Sequence, residues 1–588
     1  MSDSDEHAAK EPVHGGHHAV DAAIECGAQA LFTLSGAHIF PLFDAAVGGA
    51  DAVRSADSTQ SAERGGRLPL LDVRHEQTAV FAAEAVGKLS RIPGFAAVTA
   101  GPGVTNALSA VTGAWMNGSP LVLVGGRAPD YRWGSGALQE LDHVPLVAPV
   151  TKSATTVHDA SEIGATIDAA FGTARTPHRG PTFVDIPMDV FFTPTTSSTP
   201  PDTGASGGAD QEIVGDLDGA ASILAGACRP LLVIGSDVWA GAAVEAAREF
   251  VASAQIPTIA NGMGRGILHP SDPLLVTRAR SVAFTDADVV IVAGAPVDFR
   301  LGYGTFGSKD SSQPTPVIHL IDSPTQIASH APHALPIAGD LSQIFDDLLA
   351  QARAAGMGSG RWSPPESTSA GGAKDSTTWC RRLAEVAESA RSGDHDMLTS
   401  DAAPIHPARI YRELHSRIDD ADVVIGDGGD FVSFAGRFIE PAQPGCWLDP
   451  GPFGCLGTGP GYALGTHVAR PDSHPWLLMG DGAAGFSLMD VESLVRHRVP
   501  VTMVVGNNSG WGLERHPMRF LYGYDVLADL PPIRYDDVVA ALGGAGETVT
   551  EASDIGPALD RARTHDGPYL VNVLTDPEVA YPRSTTRI

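Results

Sequence analysis

The sequence predicts an α/β protein built as three doubly wound parallel-sheet domains, and three observations predict it. Short apolar runs ending on Gly, Ser, Asn or Asp alternate with helix-length segments along nearly the whole chain, the pattern of parallel strands joined by crossover helices. Two stretches rich in Gly, Pro, Ser and Thr, 195–212 and 351–377, cut that pattern into three. The length of 588 residues, with 43% apolar and 18% charged content, suffices for three or four soluble cores. The expected boundaries are a tail at 1–14, domains at 15–194, 213–350 and 378–588, and linkers between them.

Residues 1–14 are acidic and apolar-poor, the composition of a disordered tail. A helix over His18–Gly27 precedes a strand over Ala30–Leu34 that ends in Ser35-Gly36-Ala37, and a further helix starts at Ile39. The polar, small-residue segment 48–67 exceeds a usual connection and reads as a surface loop. A strand from Leu70 runs through Arg74-His75-Glu76-Gln77 into a helix over Thr78–Leu89. Phe95–Thr99 leads to Gly101-Pro102-Gly103-Val104-Thr105-Asn106, and Leu121–Val124 to Gly125-Gly126-Arg127. The second domain has strands at Pro230–Ile234, Val289–Ala293 and Val317–Ile321.

The third domain holds the most informative stretch. The strand Trp476–Met479 ends on Gly480-Asp481-Gly482, a helical segment covers Ser487–His497, and the strand Val501–Val505 ends on Asn507-Asn508. Polar groups thus sit at the carboxyl ends of two strands, where open α/β sheets place ligands. A carboxylate and an amide oxygen suit Mg²⁺, a hard cation that takes oxygen ligands. Glycines beside Asp481 admit a diphosphate to backbone N–H groups, helped by the helix dipole. Taken singly, each half is also an ordinary turn or strand cap.

Composition excludes several classes of function. A net charge of −30 argues against nucleic acid or an anionic membrane as partner. The five cysteines lie apart, with no CxxC pair, as expected of reduced thiols in the cytoplasm. The N-terminus has no basic-then-apolar targeting pattern, and no apolar run is long enough for a membrane span.

Glycine-Asp-Gly followed after 24 residues by Asn-Asn resembles the thiamin diphosphate (ThDP) motif. RHEQTAVFAAEA, GPGVTNAL, SPLVLVGG and the GDG…NN stretch occur in the order found in the decarboxylase and acetohydroxyacid-synthase group of ThDP enzymes. The resemblance implies a pyrimidine-binding, a middle and a diphosphate-binding domain. It further implies Glu76 on the aminopyrimidine N1′, promoting loss of the thiazolium C2 proton. On residue type alone, Glu76 is equally a helix-start carboxylate. By the same resemblance Asp481, Asn508 and the Gly510 carbonyl are the Mg²⁺ ligands. Gly482, Ala483, Ala484, Gly429 and Asp430 are expected around the diphosphate, and Trp511 beside the cofactor. The Gly454 carbonyl and the Leu456 N–H would hold the pyrimidine, and the Leu456 side chain would be the wedge that keeps ThDP bent. Ser35 and Gly36 would offer backbone N–H groups near the reacting oxygen.

Reaction type rests on fewer residues. The Ser509–His516 continuation lacks the Trp and basic residue with which acetohydroxyacid synthases recruit a second 2-ketoacid, and resembles actinobacterial 2-hydroxyacyl-CoA lyases and acetolactate-synthase-like chains. The resemblance then makes Glu514 the acid–base group and Gln139 a second catalytic residue, with Leu138 and Leu513 lining the pocket; on residue type alone Glu514 is also a solvated helix-start carboxylate. Arg265, Arg278 and Arg280 are the basic spots of the middle domain, where this branch holds ADP or CoA rather than FAD; they equally fit surface ion pairs. The expectation is a ThDP- and Mg²⁺-dependent lyase that cleaves 2-hydroxyacyl-CoA to formyl-CoA and a carbonyl compound, reversible as a carboligase. The alternative is a 2-ketoacid carboligase or decarboxylase of the acetolactate-synthase type. Relatives with this domain order imply a homodimer at least, and a homotetramer by pairing of dimers.

Overall fold

The computed structural model describes residues 12–55, 65–196, 212–308, 314–357 and 376–581. Most of both expected linkers, and residues 1–11 of the expected tail, lie outside the described residues. The chain divides into two compact units. One comprises Met1–Gly207, Pro450–Asp472 and Ser487–Val499, the other Gly208–Asp449, Ser473–Phe486 and Pro500–Ile588.

The first unit holds strands β1 (Leu31–Thr33), β2 (Leu70–Asp72), β3 (Gly94–Val98), β4 (Leu121–Arg127), β5 (Ala154–Thr156) and β6 (Pro181–Pro187). They form one parallel sheet in the order β2-β1-β3-β4-β6-β5. Helices Gly15–Glu25 and Ile163–Arg175 supply its core with Val20, Ile163, Ile167 and Phe171, packed against Leu31, Phe95 and Val124. Helix Glu76–Ser90 is Ala-rich and mostly buried, and helix Gly459–Ala469 lies against it. Gly461 and Gly465, one turn apart, permit that approach: a Cβ on Gly465 would stand 2.2 Å from the Ala82 carbonyl oxygen. Val13–His14, within the expected tail, pairs antiparallel with Pro194–Thr195. The segment expected as a loop from 48 opens instead with helix Gly49–Ser55; its small residues gave no apolar stripe to mark it.

In the second unit, β7 (Pro230–Ile234), β8 (Thr258–Ala260), β9 (Val289–Ala293), β10 (Val317–Ile321) and β11 (Ala334–Ala338) form a parallel sheet ordered β8-β7-β9-β10-β11. The strands expected at 230, 289 and 317 have the expected bounds. A second sheet contains β12 (Val423–Asp427), β13 (Trp447–Leu448), β14 (Pro475–Gly480), β15 (Val501–Asn507), β16 (Ala545–Val549) and β17 (Pro568–Leu574), ordered β13-β12-β14-β15-β17-β16. Its core joins Trp476, Leu478 and Val504 to Tyr411, Phe434 and Leu559. The helix expected over Ser487–His497 is a 3-10 turn at Leu488–Asp490 followed by helix Val491–Arg496, and a separate helix, Asp481–Ser487, precedes it. Ser487, at φ −141°, breaks the run.

The two six-stranded sheets share one strand order. In each, the first strand lies between the second and the third, so the connections leave it in opposite directions. The crevice at that point, beyond the strand carboxyl ends, is where doubly wound sheets bind ligands. It falls between Ser35-Gly36 and Thr99–Gly101 in the first sheet, and between Gly428–Asp430 and Asp481-Gly482 in the other.

Candidate active site

In the first unit, Glu76 opens helix Glu76–Ser90 and is 8% exposed. His75, in extended conformation, caps the helix by accepting the Gln77 N–H on its ring. Asp490 holds the turn from outside, accepting the Arg74 N–H at 2.7 Å and the Thr78 hydroxyl at 2.8 Å. Asn106 Nδ2 donates to Glu76 Oε2 at 3.0 Å. Two turns further along the helix, Glu84 is fully buried, accepting from Asn117, Ser119 and Tyr462 and paired with Lys88 at 3.3 Å.

Ser35 and Gly36 follow β1. A Cβ on Gly36 would strike the Thr99 side chain at 2.3 Å, so glycine is required for that approach. Gln139 sits at φ +60° against Gly101, and Leu138 beside it is 79% exposed. His143 fixes this pair: its Nε2 accepts the Gly101 N–H at 2.9 Å, and Nδ1 donates to Asp185 Oδ1 at 2.9 Å. Asp185 is held in turn by Arg127 at 2.8 Å, which lies over Trp133. Gly454 is exposed with open space beside its α-carbon, and Leu456 is half-buried.

The second unit holds the remaining residues expected at a cofactor site. Asp481 is 3% exposed; Oδ1 accepts the Gly482 N–H and Oδ2 the Gly510 N–H, both at 3.0 Å. Tyr535 donates to its main-chain carbonyl at 3.1 Å. Burial pushes the Asp481 carboxyl up to about 6 against these hydrogen bonds. The two asparagines of the pair divide their duties. Asn507 donates to Asn572 Oδ1 and the Ile533 carbonyl, a scaffold role. Asn508 Oδ1 is buried without a hydrogen-bond partner among the described residues. A buried carboxylate and an orphaned amide oxygen fit an oxygen-seeking divalent cation.

Arg515, 3% exposed, bonds the Ser509 and Ala528 carbonyls and so pins the turn that carries Gly510. The Trp511 ring covers Gly482, where a Cβ would come within 2.5 Å of it. A Cβ on Gly512 would lie 2.8 Å from Asp430 Oδ2 and 3.2 Å from Asn508 Nδ2, which brings those groups together. Gly429 has φ +62° with open space around it, room for a bulky anionic group at the start of helix Gly429–Phe438. Ala483 and Ala484 are buried in the first turn of helix Asp481–Ser487. Leu513 and Glu514 begin helix Gly512–Tyr522, with Glu514 exposed.

The three middle-domain arginines do not converge on one crevice. Arg265 donates to the Gly436 and Ile439 carbonyls, pairs with Glu440 at 3.2 Å and lies over Trp447. Arg278 is paired with Asp394. Arg280 donates to the Arg300 carbonyl over the Phe284 ring, and burial beside Arg265 and Arg300 lowers it to about 10. Sequence reasoning missed Asn106, Glu84, His143, Asp490 and Arg515. Asn106 lay within the GPGVTNAL motif; the others carry no local signal, because their partners are distant in sequence.

Comparison with known proteins agrees with this geometry. The family models "Thiamine pyrophosphate enzyme, N-terminal TPP binding domain", "central domain" and "C-terminal TPP binding domain" match residues 13–146, 217–348 and 427–573. The chain is 44% identical to the acetolactate synthase large subunit IlvG of Mycobacterium tuberculosis over 560 residues, covering 95% of each chain. It is 31% identical to 2-hydroxyacyl-CoA lyase 2 of Homo sapiens over 611 residues, covering 95% of this chain and 90% of that one. The bovine 2-hydroxyacyl-CoA lyase 2 is 32% identical over 606 residues. The chain belongs to the thiamin diphosphate-dependent enzymes, with acetolactate synthases and 2-hydroxyacyl-CoA lyases among its relatives.

Proposed function

We propose that this enzyme is a carbon–carbon lyase that cleaves 2-hydroxyacyl-CoA to formyl-CoA and an aldehyde or ketone. When bound, ThDP would supply a carbon nucleophile and an electron sink for cleavage between C1 and C2. Glu76, supported by Asn106, holds the proton at N1′ of the aminopyrimidine. Asp481, Asn508 and the Gly510 carbonyl would hold Mg²⁺, and Gly482, Ala483, Ala484, Gly429 and Asp430 would hold the diphosphate. Gly454 and Leu456 hold the pyrimidine, and Trp511 lies beside the ring. Glu514 accepts the 2-hydroxyl proton as the C1–C2 bond breaks and later returns a proton to the formyl carbon. Leu138, Gln139 and Leu513 wall the pocket, and Arg280 is the CoA contact.

The observation that carries this reading is the placement of Glu514. It is an exposed carboxylate on the first turn of a helix whose approach is tied to Asp481 by the Gly510 N–H. The helix continues into Phe520, Leu521 and Tyr522, and Leu527 beyond it is 95% exposed, apolar surface suited to an acyl body. A second reading, acetolactate formation from pyruvate, is favoured by the 44% identity to a chain named as an acetolactate synthase. Assay of the purified enzyme with a 2-hydroxyacyl-CoA and with pyruvate separates them. Formyl-CoA is the expected product; acetolactate with no thioester cleavage overturns the lyase.

The resemblance also supports a cytoplasmic homodimer or homotetramer as the working form. No helix among the described residues is long and apolar enough to cross a membrane.

A further inference from the structure

A cleft of about 570 Å³ lies in the second unit, away from the crevices at the strand carboxyl ends. Four segments form it: His269–Arg278, the end of helix Ser376–Gly393 with Asp394–Leu398, helix Ala408–His415, and the end of helix Gly429–Phe438 with Glu440. Its volume is that of a site for a drug-sized ligand.

Charge in the cleft is out of balance. Asp394, 3% exposed, is shared by Arg278 and Arg437, one carboxylate against two guanidinium groups. Arg437 Nε is a further buried donor with no acceptor among the described residues. Glu440 is the other acid of the lining; it is paired with Arg265 outside the cleft, burial raises its pKa, and it also faces Arg278 and Arg391, so at most one further positive charge of the lining is offset. At the rim, Arg391, Arg412 and His415 are exposed. Arg412 and His415 stand three residues apart and share one helix face. The pair Arg391–Glu388 is a solvent-exposed contact of 3.3 Å, weak in water. Leu275, Leu398 and Phe438 give the cleft an apolar wall. This cationic surplus stands in a chain whose net charge is −30.

We propose that this cleft binds a phosphate-bearing small molecule of nucleotide size, independently of the ThDP chemistry. The phosphate lies among Arg412, Arg437 and His415, and the organic part lies against Leu398 and Phe438. Phosphate is favoured over a single carboxylate because a dianion neutralises a surplus of more than one guanidinium and matches the planar fork of each.

The test uses the holoenzyme saturated with ThDP and Mg²⁺, treated with an arginine-selective dicarbonyl reagent. Labelling of Arg391, Arg412 and exposed Arg381 is followed by peptide mass analysis, with ADP or inorganic phosphate as probe. ADP is expected to slow labelling of Arg391 and Arg412 at least about fivefold and to leave Arg381 unchanged. Protection by inorganic phosphate as well assigns recognition to the phosphate group; protection by ADP alone means the organic part is required. No protection by either overturns the proposal. Arg412→Glu, an exposed change, should weaken ADP binding measured by calorimetry at least about tenfold; identical isotherms in the two proteins also overturn it.

Discussion

At Asp481, burial and charge act against each other. Two backbone N–H groups stabilise the carboxylate, yet desolvation still lifts its pKa from 3.8 to about 6. In the cofactor-free protein, ionising Asp481 therefore costs stability, and that cost grows as pH rises from 3.8 to about 6. If Asp481 ligates the proposed Mg²⁺ through its carboxylate, binding below about pH 6 must displace a proton, and affinity should fall up to about tenfold per pH unit. Calorimetry at about pH 5 and about pH 7 checks this; equal affinities would contradict the assignment. Asp481→Ala should lose Mg²⁺ and ThDP together, and full ThDP affinity would remove Asp481 from the metal site. Glu76→Gln should retain ThDP while slowing H/D exchange at C2 by several orders of magnitude, because an amide cannot hold the proton at N1′. Glu514→Gln should lower kcat for 2-hydroxyacyl-CoA cleavage at least about tenfold with ThDP bound; wild-type turnover would exclude Glu514.

At the scale of elements, close packing decides which glycines matter. A side chain at Gly465 meets the Ala82 carbonyl and the Ala85 methyl, so Gly465→Val should push helix Gly459–Ala469 off helix Glu76–Ser90. Overpacking of this kind costs about 1–3 kcal/mol, read as a lower urea midpoint with the slope unchanged. Strands β5, β6, β13, β16 and β17 of the six-stranded sheets went unread; β1–β4, β14 and β15 were legible because they are apolar runs punctuated by Gly, Asp and Asn at the ligand end. Strands β8 and β11 were not. Thr258–Ala260 is three residues long, and Ala334–Ala338 carries Pro336, which only an edge strand tolerates. The motifs GDG, NN and RHEQ were legible because each is contiguous. Their supports were not: Asp490 lies 416 residues from Arg74, and Glu84 in an Ala-rich helix reads as a surface charge until its partners are seen.

For the whole molecule, subunit mixing tests the proposed dimeric site. If Glu76 of one chain and Asp481 of another serve the same cofactor, mixing Glu76→Gln with Asp481→Ala chains should restore a fraction of activity; no recovery with verified subunit exchange would mean that each chain builds its own site. The first unit also has a history written into its composition. Helix Glu76–Ser90 packs against helix Gly459–Ala469, which is made roughly 370 residues later. At about 5–20 residues per second on the ribosome, the nascent chain waits roughly 20–75 s for that partner. Throughout that interval Phe81, Ala82 and Ala85 lack the neighbour that covers them in the finished protein. A pause in translation between the two helices would lengthen the wait, and synthesis rate thus becomes a determinant of yield, with chaperone demand highest before residue 459 emerges.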